Sequence, residues 1–258
     1  MTTDALPDPS AANYPLSVTT AVFQTFGSQH LVTLTIIIAL CFFLFQAAKS
    51  RTPAARKWLG RFLGFVLLSH SACVYLQQAF AHALSLEYSL PLELCSLVLI
   101  ACVVSLFWPN RLTSEIAYFW GLGGVVQATI TPDLATGFPS WDFALFFWGH
   151  GATLLAIVFL VSDREFKPRR NSIARMMAAL NIYALAVGSI NAAAGWNYGY
   201  LCRKPSMPSL FDWLGPWPWY LLSLELIAFL TFLILDRFWR VLVWMRGPER
   251  APANPPTN

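Results

Sequence analysis

Long apolar blocks alternate with short polar, proline-bearing connections along almost the whole chain. The blocks run over residues 30–48, 60–84, 89–108, 114–131, 141–162, 172–196 and 217–240. As helices rising ~1.5 Å per residue, each comes close to or exceeds a hydrocarbon core of about 30 Å. They predict an all-α polytopic membrane protein of seven transmembrane helices. The bundle is expected over 26–244, after a polar N-terminal segment (1–25) and before a disordered C-terminal tail (245–258). Pro109, Pro132, Pro139, Pro168 and the Pro205/Pro208 pair punctuate the connections. Trp108, Trp141, Trp196, Trp217 and Trp219 fall near block ends, where interfacial aromatics gather.

Composition agrees with this pattern. Hydrophobic residues make up 57% of the 258 and charged residues only 12%, half of what a soluble domain carries. The net charge of +4 is too modest to mark a nucleic-acid partner, but its distribution is informative. Fifteen of the 17 Lys and Arg residues fall in the first, third and fifth connections or in the C-terminal segment. Only Arg203 and Lys204 fall on the opposite side. This asymmetry predicts an outside N-terminus, an inside C-terminus and an odd number of spans. No basic residue precedes the first apolar block, so a cleaved signal peptide is not expected.

The reactive side chains draw attention because they sit in apolar blocks. Leu90-Pro-Leu-Glu-Leu-Cys95-Ser96 and Phe147-Trp-Gly-His150-Gly151 bring a thiol and an imidazole into the same half of the bilayer. Cys95 is expected about two turns below the outer end of its span, and His150 ~13 Å deep. Such groups are costly in hydrocarbon without partners or a task. The pair suggests nucleophilic lipid chemistry, with Cys95 attacking an ester and His150 moving the proton. Gly149 and Gly151 give another helix or a ligand room to approach.

Further polar groups gather toward the outer half: Gln77, Gln78, His82, Glu93, Gln127, Asn191, Asn197, Glu225 and His30. His70 and Asn181 lie nearer the middle or the inner half. Gln127 and Asn197 are candidate oxyanion donors, and either Glu93 or Glu225 is a candidate to orient His150. His30 and His82 are candidate substrate contacts or plain interfacial residues. Arg203 and Lys204 would meet a lipid phosphate or serve as ordinary loop charge. Five cysteines without a CxxC pair give no structural zinc signature, and no metal or cofactor is expected. The chain has no HExxH run, no glycine-rich phosphate loop and no lysine in its last span; the last point argues against a retinal protein. A transporter of a small solute, proton or metal, or a non-catalytic lipid-binding protein, would use the same cavity.

Several runs together carry a family resemblance. They are Phe26-Gly-Ser-Gln-His30, Leu90-Pro-Leu-Glu-Leu-Cys95, Tyr118-Phe-Trp-Gly121 with Gln127-Ala, and Thr131-Pro-Asp133. His150-Gly151, Asn197-Tyr-Gly-Tyr-Leu201 with Lys204-Pro205, and Leu214-Gly-Pro-Trp-Pro-Trp-Tyr220 continue them. In this order and spacing the chain resembles the YwaF-like integral membrane proteins of bacteria over roughly residues 22–240. Animal relatives of that family are described as transmembrane acyltransferases acting on ether phospholipids. The resemblance implies seven helices, a bacterial cytoplasmic-membrane location and a catalytic pair at Cys95 and His150. It also implies phospholipids and lysophospholipids as partners. Where many bacterial members have histidine before the Leu-Cys step, this chain has Glu93.

Overall fold

The first helix begins where the Phe26-Gly-Ser turn ends, and the chain is helical from there through almost every apolar block. The computed structural model describes residues 21–49, 51–163, 166–206 and 209–245. The expected polar segment 1–25 falls largely outside these residues, and the expected tail 245–258 almost wholly so. The long helices are α1 (Ser28–Lys49), α2 (Pro53–Phe80), α4 (Leu94–Phe107), α7 (Trp141–Val161), α8 (Ser172–Ala194) and α9 (Trp219–Met245). A single turn, α3 (Leu86–Ser89), precedes α4. A further rod is built from α5 (Arg111–Trp120), a π turn (Gly121–Val125) and α6 (Val126–Ile130). Among the described residues there is no β-strand, only an isolated bridge between Val22 and Thr136. Four helices, α1, α2, α7 and α8, are long and apolar enough to cross a membrane, and α4 is a shorter apolar helix. The chain is therefore an all-α, multi-pass membrane protein.

Local chemistry sets the helix ends. Thr52 accepts from the Ala55 N–H and Pro53 fills the first turn, so α2 starts seven residues before its apolar block. Asn110 caps α5 through the Leu112 and Thr113 amides, and Ser140 caps α7 through Phe143. Gly195, with φ of 77°, closes α8 in the left-handed conformation. The start of α4 departs most from expectation. The block was expected to be helical from residue 89, but Leu90 is extended and the helix begins at Leu94. Pro91 is the cause, because its ring disfavours the helical region for the residue before it.

Glycines let the helices close on one another. Gly60 receives Phe159 and Gly64 receives Phe107. At Gly121, in the π turn, Val98 of α4 and Ile157 of α7 meet. The main core joins α2, α4, α5, α7, α8 and α9 around Leu67, Val98, Phe119, Ile157 and Met176. At the base of α5, Glu115 is almost fully buried and held from several sides. Arg169 chelates it at 2.7–3.2 Å, the Arg169 backbone N–H donates at 2.9 Å, and the Ser172 hydroxyl at 2.6 Å. A buried carboxylate needs such pairing, and here it ties the start of α8 to α5.

Candidate functional site

Because α4 begins at Leu94, Cys95 lies in the first turn of a helix and not two turns down, as its span had suggested. The amide groups of a helix's first turn have no intrahelical acceptor. The first intrahelical bond runs from the Leu97 N–H to the Glu93 carbonyl at 3.1 Å. Among the described residues the N–H groups of Leu94, Cys95 and Ser96 have no acceptor, and no side chain caps them. A half-buried thiol thus stands beside open amides at the positive end of the helix dipole.

The lead-in to this turn is fixed by distant parts of the chain. The Tyr183 hydroxyl donates to the Leu92 carbonyl at 2.9 Å. The Tyr198 hydroxyl donates to the Leu86 carbonyl at 2.7 Å and accepts from the Leu90 N–H at 3.0 Å. Glu93 accepts from the Gly199 N–H at 2.9 Å. Asn191, buried in α8, clamps both backbone groups of Tyr198 at 2.8 and 3.0 Å. Gly199 has φ of 66°, and any side chain there would run into the Tyr183 hydroxyl. Glycine meets both demands. Beside this cluster, the Tyr200 hydroxyl donates to Asp133 at 2.9 Å, and burial pushes the Tyr200 phenol well above its ordinary range.

His150 projects from the middle of α7 and stacks on Phe146, with ring centroids 4.0 Å apart. Its Nδ1 lies 2.9 Å from the Phe146 carbonyl oxygen, which only accepts, so Nδ1 carries the proton. In the neutral ring Nε2 then holds a lone pair, and among the described residues it has no partner. That tautomer suits a general base. Gly149 admits the His70 ring: a Cβ there would sit 2.5 Å from its Cε1 and Nε2. His70 donates from Nε2 to the Leu145 carbonyl at 3.0 Å, while among the described residues its buried Nδ1 has no partner. Gly151 faces Ile37 of α1.

The relation of thiol to imidazole follows from the Gly121 junction. Cys95 precedes Val98 by three residues and His150 precedes Ile157 by seven. Measured along their own helices, the two groups lie ~4.5 and ~10 Å from the Gly121 junction. Among the described residues no hydrogen bond joins them directly.

Other expected site residues are placed elsewhere. His30 is fully buried with both nitrogens used: Phe26 N–H donates to Nδ1 at 2.9 Å, and Nε2–H donates to the Thr129 carbonyl at 3.0 Å. It bolts α1 to α6 and presents no free nitrogen to a substrate. His82 is exposed at the exit from α2. The Gln127 amide donates to the Thr131 hydroxyl at 2.8 Å. Asn197 uses its amide oxygen and one amide hydrogen on the Cys202–Arg203 turn, at 2.8–3.1 Å. Glu225 accepts from Asn181 at 2.6 Å between α8 and α9, and among the described residues neither it nor Glu93 makes a hydrogen bond to His150. Arg203 is exposed, and Lys204 lies 5.9 Å from the Tyr220 ring centre. The Tyr220 hydroxyl in turn donates to the Tyr200 carbonyl. Among the described residues no three metal-ligating side chains converge.

The open amides of α4 went unread in the sequence, although Pro91 four residues before Cys95 marks a helix start. Tyr183 gives no local signal, since its partner is 91 residues away. No curated protein and no solved structure matches the chain. The model of the TMEM164 family matches residues 25–236, most of the chain. These runs of apolar helix, and the site they carry, belong to a member of the TMEM164 family of integral membrane proteins.

Proposed function

We propose that this chain is a phospholipid acyltransferase of a bacterial cytoplasmic membrane. Seven helices cross the bilayer in this reading, with the N-terminus outside and the C-terminus inside, as the Lys and Arg distribution favours. The observation that carries it is the first turn of α4, where a thiol stands beside unclaimed backbone amides. The resemblance to YwaF-like proteins adds chemical direction. The length of α4 adds more. Fourteen residues rise ~21 Å, less than the ~30 Å hydrocarbon core. Its N-terminus then lies within the membrane, where irregular backbone is tolerated only against protein or a cavity.

In the first step Sγ of Cys95 attacks the ester carbonyl carbon of a phospholipid, and Nε2 of His150 takes the thiol proton. The carbonyl oxygen gains negative charge and is met by the open N–H groups of the α4 first turn. Collapse breaks the carbon–oxygen bond. The lysophospholipid leaves with the proton from His150, and the acyl chain stays on sulfur. In the second step the hydroxyl of another lysophospholipid gives its proton to His150 and attacks the thioester. The new ester leaves and Sγ recovers the proton. In this reading the ester group lies between thiol and imidazole when it is bound. Water in place of the second hydroxyl would give hydrolysis. A proton or solute carrier is less well supported, because Glu225 and Asn181 pair between α8 and α9 and do not extend a polar route from His150.

Purified protein is incubated with acyl-labelled phospholipid and unlabelled lysophospholipid. The expected result is a hydroxylamine-sensitive acyl adduct on the protein and label in new phospholipid. Cys95→Ser and His150→Ala should each lower exchange by about 10²-fold or more. Exchange at the wild-type rate in both variants would end this reading.

A further inference from the structure

Arg203 and Lys204 are the only Lys and Arg residues on the outer side of the expected topology, and the structure treats them differently. Arg203 is exposed. Lys204 is half-buried, with its ammonium 5.9 Å from the ring centre of the fully buried Tyr220. Among the described residues Lys204 has no carboxylate partner. A half-buried ammonium without an anion is costly. The face of a phenol ring offsets only part of that cost.

The loop that carries Lys204 is tied to the Cys95 turn. The Gly199 N–H donates at 2.9 Å to Glu93, two residues before Cys95, and the Tyr198 hydroxyl bonds Leu86 and Leu90. Gly199 and Tyr200 are both left-handed, with φ of 66° and 53°. Tyrosine rarely adopts that conformation unless its surroundings hold it there. Here the Tyr200 hydroxyl donates to Asp133 at 2.9 Å, and its carbonyl accepts from the Tyr220 hydroxyl. Burial and the neighbouring Asp133, Glu93 and Cys95 all push the Tyr200 phenol above its ordinary range. A chain of contacts thus leads from the Cys95 turn through Gly199, Tyr200 and Tyr220 to Lys204. The carboxylates of this cluster are turned elsewhere, Glu93 to Gly199 and Asp133 to Tyr200 and Ser206.

We propose that Lys204 receives the phosphate of the substrate lipid and thereby sets how the lipid's glycerol oxygen meets Cys95. The phosphate supplies the anion that the ammonium lacks and accepts its hydrogens in charge-assisted bonds. Glycerol links phosphate to ester, so a phosphate fixed on this loop limits where the ester can reach. The positioning at Cys95 rests on the acyltransferase reading, whereas the phosphate binding itself does not.

The full chain carrying Cys95→Ser, which cannot form the acyl adduct, is held in a maltoside detergent free of phosphate. Its binding of a dansyl-labelled lysophospholipid is compared with that of the matching monoacylglycerol, which has the same chain and no phosphate. Adding Lys204→Met should weaken lysophospholipid binding about ten-fold and leave monoacylglycerol binding unchanged. Lys204→Arg keeps a cation and should restore most of the affinity, which separates charge from general disturbance. With Cys95 intact, Lys204→Met should raise KM for lysophospholipid about ten-fold with little change in kcat. Unchanged lysophospholipid binding in Lys204→Met, or an equal loss for both lipids, would overturn the proposal. So would displacement of the lipid by inorganic phosphate at the lipid's own concentration, which would assign the cation to a free anion. Binding that needs Lys204, in a wild-type chain that forms no acyl adduct, would end the acyltransferase reading and leave this inference standing.

Discussion

His30 and His150 are both imidazoles set among phenylalanines, and their surroundings use them in opposite ways. At the head of α1, His30 gives one nitrogen to Phe26 and the other to Thr129. In α7, His150 spends Nδ1 on the carbonyl one turn before it, and among the described residues its Nε2 has no partner. Burial alone does not separate a histidine that bolts two helices from one with a nitrogen to spare. The count of committed nitrogens does, because an imidazole with both nitrogens committed can neither take nor give a proton without breaking a contact. The same distinction divides Glu115, enclosed by Arg169 and Ser172, from the first turn of α4, where amides stay open.

The contrast breaks or holds on a pair of alanine variants. His150→Ala should lower acyl exchange by about 10²–10⁴-fold while leaving the unfolding temperature in detergent unchanged. His30→Ala should do the reverse. It strands the Thr129 carbonyl and the Phe26 N–H and should cost about 3 kcal/mol of stability, with exchange per folded molecule near wild type. Loss of exchange in a fully stable His30→Ala protein would erase the distinction.

A smaller effect sharpens the surroundings of His150. Gly149→Ala drives a methyl into the His70 ring and should cost about 1–3 kcal/mol. Gly151→Ala meets Ile37 at 3.3 Å, where a flexible side chain gives way, and should cost under about 1 kcal/mol. Equal melting points for the two would show that His70 does not press on α7. The smallest effect belongs to the lead-in of α4. Tyr183→Phe removes the hydroxyl that holds the Leu92 carbonyl and should cost about 1 kcal/mol. Exchange should fall a few-fold as the first turn of α4 loosens, an effect visible in kcat more than in KM.

Much of the architecture was readable in order along the chain. Apolar blocks marked the helices because every backbone group in lipid must be satisfied within its own segment. Helix ends were read less well where one side chain intervened. Thr52 and Pro53 moved the start of α2 outward, and Pro91 moved the start of α4 inward. Cys95 and His150 stood out as polar intrusions, but the roles of their neighbours did not. Gln127 and Asn197 stood out as amides, but the sequence did not show that each gives one hydrogen locally, to Thr131 and to the Cys202–Arg203 turn. Glu225 was expected near His150 by depth alone, and depth does not say which way a helix face points.

The sequence alone determined an all-α membrane chain, its apolar helices and the presence of a thiol and an imidazole within them. These follow from short-range periodicity and from the cost of burying polar groups. The tertiary structure decided which hydrogens and lone pairs remain available. His30 meets Thr129 across 99 residues, Glu93 meets Gly199 across 106, and Tyr183 meets Leu92 across 91. A hydrogen bond forms wherever folding brings two groups within about 3 Å, and no local pattern records that distance.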